Sequence, residues 1–324
     1  MTGGGRETRR TSAFLLLALL SATLLAGCLG SDRSARSEKA SAASTSGGLA
    51  EAPQNRVSGA AGVPESTVGL ASQIDDDLAG AVDASSVVQF VEETKESGGS
   101  GYDADTVLAV RHGMHPDYER AVIDLGTGEE PTATLPRWTL ASRNGDGLLR
   151  VNLPSASATC VSDGEFGDGL LGSFYVVRAP EGGMFVDFFA RDAFRYRVVE
   201  LRDPARLVVD FKPTGKDLKV PIPAQGGDTV LVEPRPGAGI SDPLVVSGYS
   251  RNPEATNSIT LTGPRGRVLA RRTVRSNDWS HTWGYFESTL DLPPFGGTGT
   301  LKVGTGSARD GSFNGVEFPV RAGR

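Results

Sequence analysis

Three histidines, two cysteines and one dense group of arginines are the residues of this 324-residue chain that invite chemistry. His112-Gly113-Met114-His115 has an H-x-x-H spacing but lacks the helix and the glutamate of H-E-x-x-H metalloproteases. It falls in a turn, no third ligand stands near it in sequence, and His115 reads as a turn histidine bonding the backbone at Asp117. Cys160 has no adjacent base to activate its thiol, so it is expected to be a small, half-buried hydrophobe. Asp75-Asp76-Asp77 lacks the spacing and the glutamate of an EF-hand loop, and G-x-S-x-G is absent. No catalytic set assembles, so a non-enzyme is expected, with no metal and no cofactor.

Two stretches suit binding instead. Residues 265–275 read RGRVLARRTVR, with five arginines and no acid. On a strand, alternation puts Val268, Ala270 and Val274 on one face and Arg267, Arg271 and Arg275 on the other. Such a stripe suits anionic wall polymers or lipid headgroups, and equally the solvated face of an ordinary sandwich. The second stretch is Asn277-Asp278-Trp279-Ser280-His281-Thr282-Trp283-Gly284-Tyr285-Phe286. Phe286, Leu290 and Leu292 share parity and mark a core face. An unbroken register then places Trp279, His281, Trp283 and Tyr285 outside, as an aromatic stripe able to stack on sugar or anchor a partner.

The segments around these residues fix their setting. Ala13–Ala26 is almost wholly apolar, too short for a membrane span of roughly 20 residues, and preceded by Arg6, Arg9 and Arg10. It has the form of an export signal. Leu25-Ala26-Gly27-Cys28 resembles the lipobox of bacterial lipoproteins, which implies cleavage before Cys28 and lipid on its thiol. An uncleaved anchor and a chance cysteine are the alternatives. The lipid reading places the chain outside the cytoplasmic membrane, held at the cell surface by acyl chains. The formal charge is −6, and residues 1–27 carry three arginines against one glutamate, so the remainder is more acidic still. That balance argues against nucleic acid as partner.

Residues 28–101 are rich in Ser, Ala and Gly and read as a flexible tether, with one short helix around Val87, Val88 and Val91. From Tyr102 on, short branched and aromatic runs alternate with turn clusters. Asn144-Gly145-Asp146-Gly147 sits where a hairpin needs positive φ. The expected fold is all-β: a sandwich over residues 102–214, a Pro/Gly/Lys-rich linker over 215–227, and a second sandwich over 228–324.

His115-Pro116-Asp117-Tyr118-Glu119-Arg120 and Asp203-Pro204-Ala205-Arg206-Leu207-Val208-Val209-Asp210-Phe211 resemble the strands that open and close AMIN-like envelope domains, though Glu119 stands where Asp is common. Val232-Glu233-Pro234-Arg235-Pro236-Gly237, Pro243-Leu244-Val245-Val246-Ser247-Gly248, Trp283 with Phe286, and Ser307-Ala308-Arg309-Asp310-Gly311-Ser312 resemble the Gmad2-type immunoglobulin-like module named for spore germination. The Trp-x-x-Phe spacing of that module implies that Trp283 and Phe286 both pack inside, with a bulge at Gly284. The first resemblance implies binding of peptidoglycan or another wall glycan through residues 102–214. The alternative is a scaffold lipoprotein that docks another envelope protein through its immunoglobulin-like module.

Overall fold

The computed structural model describes residues 89–92, 94–307 and 310–322. Cys28, the apolar segment before it, Asp75-Asp76-Asp77, the tether through residue 88, and Ala308 with Arg309 lie outside the described residues. Among the described residues, twelve strands precede residue 214. They are Lys95–Gly98 (β1), Thr106–Met114 (β2), Glu119–Thr127 (β3), Glu130–Pro131 (β4), Trp138–Arg143 (β5) and Leu148–Leu153 (β6). Ala158–Thr159 (β7), Asp163–Glu165 (β8), Leu171–Arg178 (β9), Met184–Ala190 (β10), Phe194–Leu201 (β11) and Arg206–Pro213 (β12) complete the set. Nine more follow: Ala224–Gly226 (β13), Thr229–Glu233 (β14), Gly239–Ile240 (β15), Leu244–Ser250 (β16) and Thr256–Thr262 (β17). The last four are Val268–Arg275 (β18), Trp283–Leu290 (β19), Thr298–Gly306 (β20) and Phe313–Ala322 (β21). Among the described residues there is no α-helix, and the all-β expectation holds.

In the first sandwich a β11-β12-β3-β2-β7 sheet faces a β1-β5-β6-β10-β9 sheet. Ile123, Leu207, Val209 and Phe211 from one meet Leu149, Val151, Val176 and Phe188 from the other in a single core. In the second, β13-β14-β16-β19 faces β15-β21-β20-β17-β18, closing on Val246, Ile259, Phe286, Leu301 and Phe318. Parallel pairing of Trp283 with Val177 and of Gly284 with Arg178 joins β19 to β9, so one ten-stranded sheet runs through both sandwiches.

Several local expectations change. Folded structure begins before Tyr102: Val91 bridges Tyr196, and β1 pairs with β5. Extended backbone there satisfies the free edge of β5, so the described part of the expected helix is strand-like instead. The Asn144 turn is a short 3-10 turn ending on Gly147 at φ 68°, a left-handed value that glycine adopts freely. Residues 215–227 are not bare linker, since the Lys219 N–H donates to the Gly145 carbonyl at 2.7 Å and β13 pairs with β14.

Strand β10, Met-Phe-Val-Asp-Phe-Phe-Ala, is buried at every position. Met184, Val186 and Phe188 face the first core, while Phe185 and Phe189 face the other way. There they join Leu148, Tyr175 and Val177 against Val230, Val232, Tyr249 and Trp283 of the second sandwich. This junctional core explains why β9 and β10 read as near-continuous apolar runs, because a strand buried on both faces has no polar side to show.

Candidate functional site

Strand β18 is an edge of the second sandwich, paired on one side with β17. Its register slips between Leu261 and Thr262, so Leu261 faces Ala270 and Thr262 faces Val268. The bulge at Leu269 changes which side chains point inward: Leu269, Ala270 and Val274 pack on the core, and Val268 is 49% exposed. Simple alternation had placed Val268 inside. Arg265, Arg267, Arg271, Arg272 and Arg275 are all exposed. None makes an ion pair among the described residues. Arg272 Nη1 donates to the Thr289 carbonyl at 2.8 Å, and Arg275 Nη2 to the Glu254 carbonyl at 3.3 Å. These bonds hold two guanidinium groups against the strand without neutralising them.

The aromatic stretch divides differently. Residues 277–282 form a loop capped by the Asp278 carboxylate, whose Oδ1 accepts the N–H groups of Trp279 (2.7 Å), Ser280 (3.1 Å) and His281 (3.2 Å). Its Oδ2 accepts Nε and Nη2 of Arg178 from the first sandwich at 3.2 and 3.1 Å. Asn277 donates to the carbonyls of Arg178 and Ala179, and Thr282 to that of Val176. The loop is thus a strut between sandwiches, on which Trp279 (44% exposed) and His281 remain open to solvent.

Trp283 is 6% exposed. The β16–β19 register is unbroken from Gly284 to Leu290, so no bulge occurs at Gly284. Parity does put Trp283 on the outer face of its own sandwich, but the first sandwich covers that face. Its indole meets the Tyr175 ring edge-on at 5.0 Å and donates to Asp163 Oδ1 at 2.9 Å. Its ring is therefore not open to a ligand. Gly284 is required by close approach, since a Cβ there would lie 2.0 Å from the Asp278 carbonyl oxygen.

Behind Trp283 lies a buried polar lock. Asp187, fully buried, accepts Nε and Nη2 of Arg150 at 2.7 and 2.8 Å and the phenol of Tyr249 from the other sandwich. Burial and the Asp187 charge push the Tyr249 phenol well above its usual range, so it stays a donor. The Arg150 guanidinium lies 3.8 Å from the Phe185 ring centre.

In the first sandwich, Arg120 and Asp210 are register partners across β3 and β12. Arg120 donates to Asp210 at 2.6 and 3.0 Å, and Arg197 from β11 donates to the same carboxylate at 2.6 Å. These motif residues thus hold three strands together. Glu119 is buried and accepts from His112 Nε2 at 2.9 Å and from the Leu170 and Leu171 N–H groups. His112 stacks on Phe166 at 4.8 Å, and His115 on Tyr118 at 4.3 Å. Among the described residues no three His, Cys, Asp or Glu side chains come together as a metal set. Cys160 is exposed rather than half-buried. An open groove of about 680 Å³ passes His115, Asp117, Tyr118, Asp168, Asp192 and Lys212.

Residues 230–312 match the model of a family described as the immunoglobulin-like domain of bacterial spore germination, Gmad2. The match covers most of the second sandwich and bears out that part of the sequence resemblance. No curated protein and no solved structure matches the chain.

Proposed function

We propose that this chain is a lipid-anchored, non-catalytic scaffold of the bacterial cell envelope that docks an acidic envelope protein through the β18 edge of its immunoglobulin-like sandwich. The observation that carries the reading is the arginine group itself. Five exposed guanidinium groups without a carboxylate partner, three on an edge strand and two in the turn that leads into it, stand on a chain whose formal charge is −6. An edge strand offers unpaired backbone to an extended segment, and the arginines select one of opposite charge. The junctional core supports a scaffold role, because it makes the first sandwich a stiff support for the second. The test is binding of residues 89–324 to isolated envelopes before and after protease treatment. Loss of binding after treatment is expected. Charge on an edge also blocks sheet-to-sheet pairing, so neutralised arginines that change self-association but not envelope binding would reduce the stripe to that role.

A second reading is glycan binding by the AMIN-like first sandwich. It is favoured by the groove at His115, Asp117 and Tyr118, where aromatic and carboxylate groups lie side by side. Retention of residues 89–324 on purified, protein-free sacculi, lost with changes at Asp117 and Asp168, would select it over the first.

A further inference from the structure

Beside the junctional core the two sandwiches part, and the mouth between them holds two adjoining hollows of about 340 and 190 Å³. Arg150 of β6 and Tyr285 of β19 line both, so each hollow is walled by both sandwiches. Small ligands favour such clefts between packed units, with apolar walls and a few placed polar groups. Pro154, Ala179, Pro180 and Phe185 wall the larger hollow, and Leu148 and Val232 the smaller. The polar groups left open in the larger one are acceptors. Glu181 stands exposed on the turn between β9 and β10 and makes no ion pair among the described residues. Asn152 Nδ2 donates to the Thr139 hydroxyl at 3.1 Å, which leaves its carbonyl oxygen to accept. The Tyr285 phenol donates to Glu287 at 2.6 Å, and its oxygen keeps a lone pair for another donor. Burial, and then the Glu287 carboxylate, push that phenol up to about 12, so it stays protonated. The charge of Arg150 is already met by its two bonds to Asp187, and Arg143 of the smaller hollow is bonded to Glu233 at 2.8 Å.

We propose that this cleft binds a small organic cation, an ammonium group paired with Glu181 on an apolar body received by the walls. An anion would be repelled by Glu181 and by the Glu287 charge behind Tyr285. A neutral apolar body would fill the walls and gain nothing from either carboxylate. The cleft is separate from the arginine edge of β18 and stands or falls independently of it. Because both sandwiches wall the site, its occupancy also favours the packed junction.

The test is calorimetric titration of the full chain with phenethylammonium chloride and, at equal ionic strength, with 2-phenylethanol. The two probes share an apolar body and differ in charge. Saturable binding of the ammonium probe, roughly three- to tenfold tighter than the alcohol, is expected. Glu181 is exposed and outside any ion pair, so Glu181→Gln should fold and bring the two affinities within about twofold. Glu165→Gln makes the same change of net charge beside a different hollow and should keep the preference. No saturable binding, or equal affinity for the two probes in the wild type, overturns the proposal. So does a preference that survives in Glu181→Gln, or one that falls as far in Glu165→Gln.

Discussion

Removing the Trp283 indole tests whether the sandwiches fold as one. The side chain is 94% buried, with its ring against Tyr175 and its N–H on Asp163. Trp283→Ala takes out the largest ring of the junctional core and leaves a cavity that Tyr175, Val177 and Tyr249 cannot close without moving backbone. The cost from large-to-small substitutions at such sites is about 3–5 kcal/mol. Trp283→Phe keeps most of the ring and loses the hydrogen bond. Asp163 is 40% exposed on its side chain, so water replaces the donor, and about 0.5–1.5 kcal/mol is expected. Urea unfolding gives both values, and limited proteolysis gives the coupling. The wild type should yield one resistant core spanning residues 95–322, whereas Trp283→Ala should be cut between residues 214 and 223. A loss below about 1 kcal/mol for Trp283→Ala, or a wild type that already falls into two resistant pieces, would refute the coupled junction.

Tyr249→Phe deletes a fully buried phenol that bonds the Asp187 carboxylate and should cost about 1.5–3 kcal/mol by urea unfolding. A neutral result would show that Arg150 alone satisfies Asp187. For Asp278, burial acts to raise the carboxyl, but the N–H groups of His281, Trp279 and Ser280 with Arg178 outweigh it and hold the pKa below the usual range. A depressed folded pKa contributes stability that is present above the unfolded value near about 4 and lost as pH falls through the folded one. The melting-temperature gap between wild type and Asp278→Asn should therefore narrow in acid, and a widening gap would contradict this. Cys28→Ser should abolish incorporation of labelled fatty acid, and equal label on both proteins would end the lipid-anchor reading.

Period-two patterns made the strands legible, and paired apolar faces made two sandwiches legible. The junction was not, because burial of the second face is a tertiary event. In β10 its trace was present as an aspartate inside an unbroken apolar run, which Arg150 on the neighbouring strand and Tyr249 across the junction together satisfy. Parity placed Trp283 correctly on its outer face, and sequence could not say that the outer face was covered. Val268 failed for a local reason, since a bulge at Leu269 shifts alternation by one without any glycine to announce it. Asp278 reads as one more loop acid until the Arg178 side chain, a hundred residues away, is placed against it. The β18 arginines were visible at once, because a run without acids needs no third dimension. Arg235 was visible only as one residue of a motif, and its burial with Nη1 on the Pro221 carbonyl belongs to tertiary packing.

The most direct test of the arginine edge is the binding of residues 89–324 to isolated envelopes, wild type against the triple variant Arg267→Glu, Arg271→Glu, Arg275→Glu. These side chains are exposed and make no ion pair among the described residues, so the melting temperature should hold while the local charge reverses. At roughly 0.5–1 kcal/mol per contact, binding should weaken by about 10- to 100-fold. Wild-type binding should itself fall as salt shortens the Debye length from about 10 Å to 3 Å. Undiminished binding by the triple variant, or wild-type binding indifferent to salt, would contradict the account.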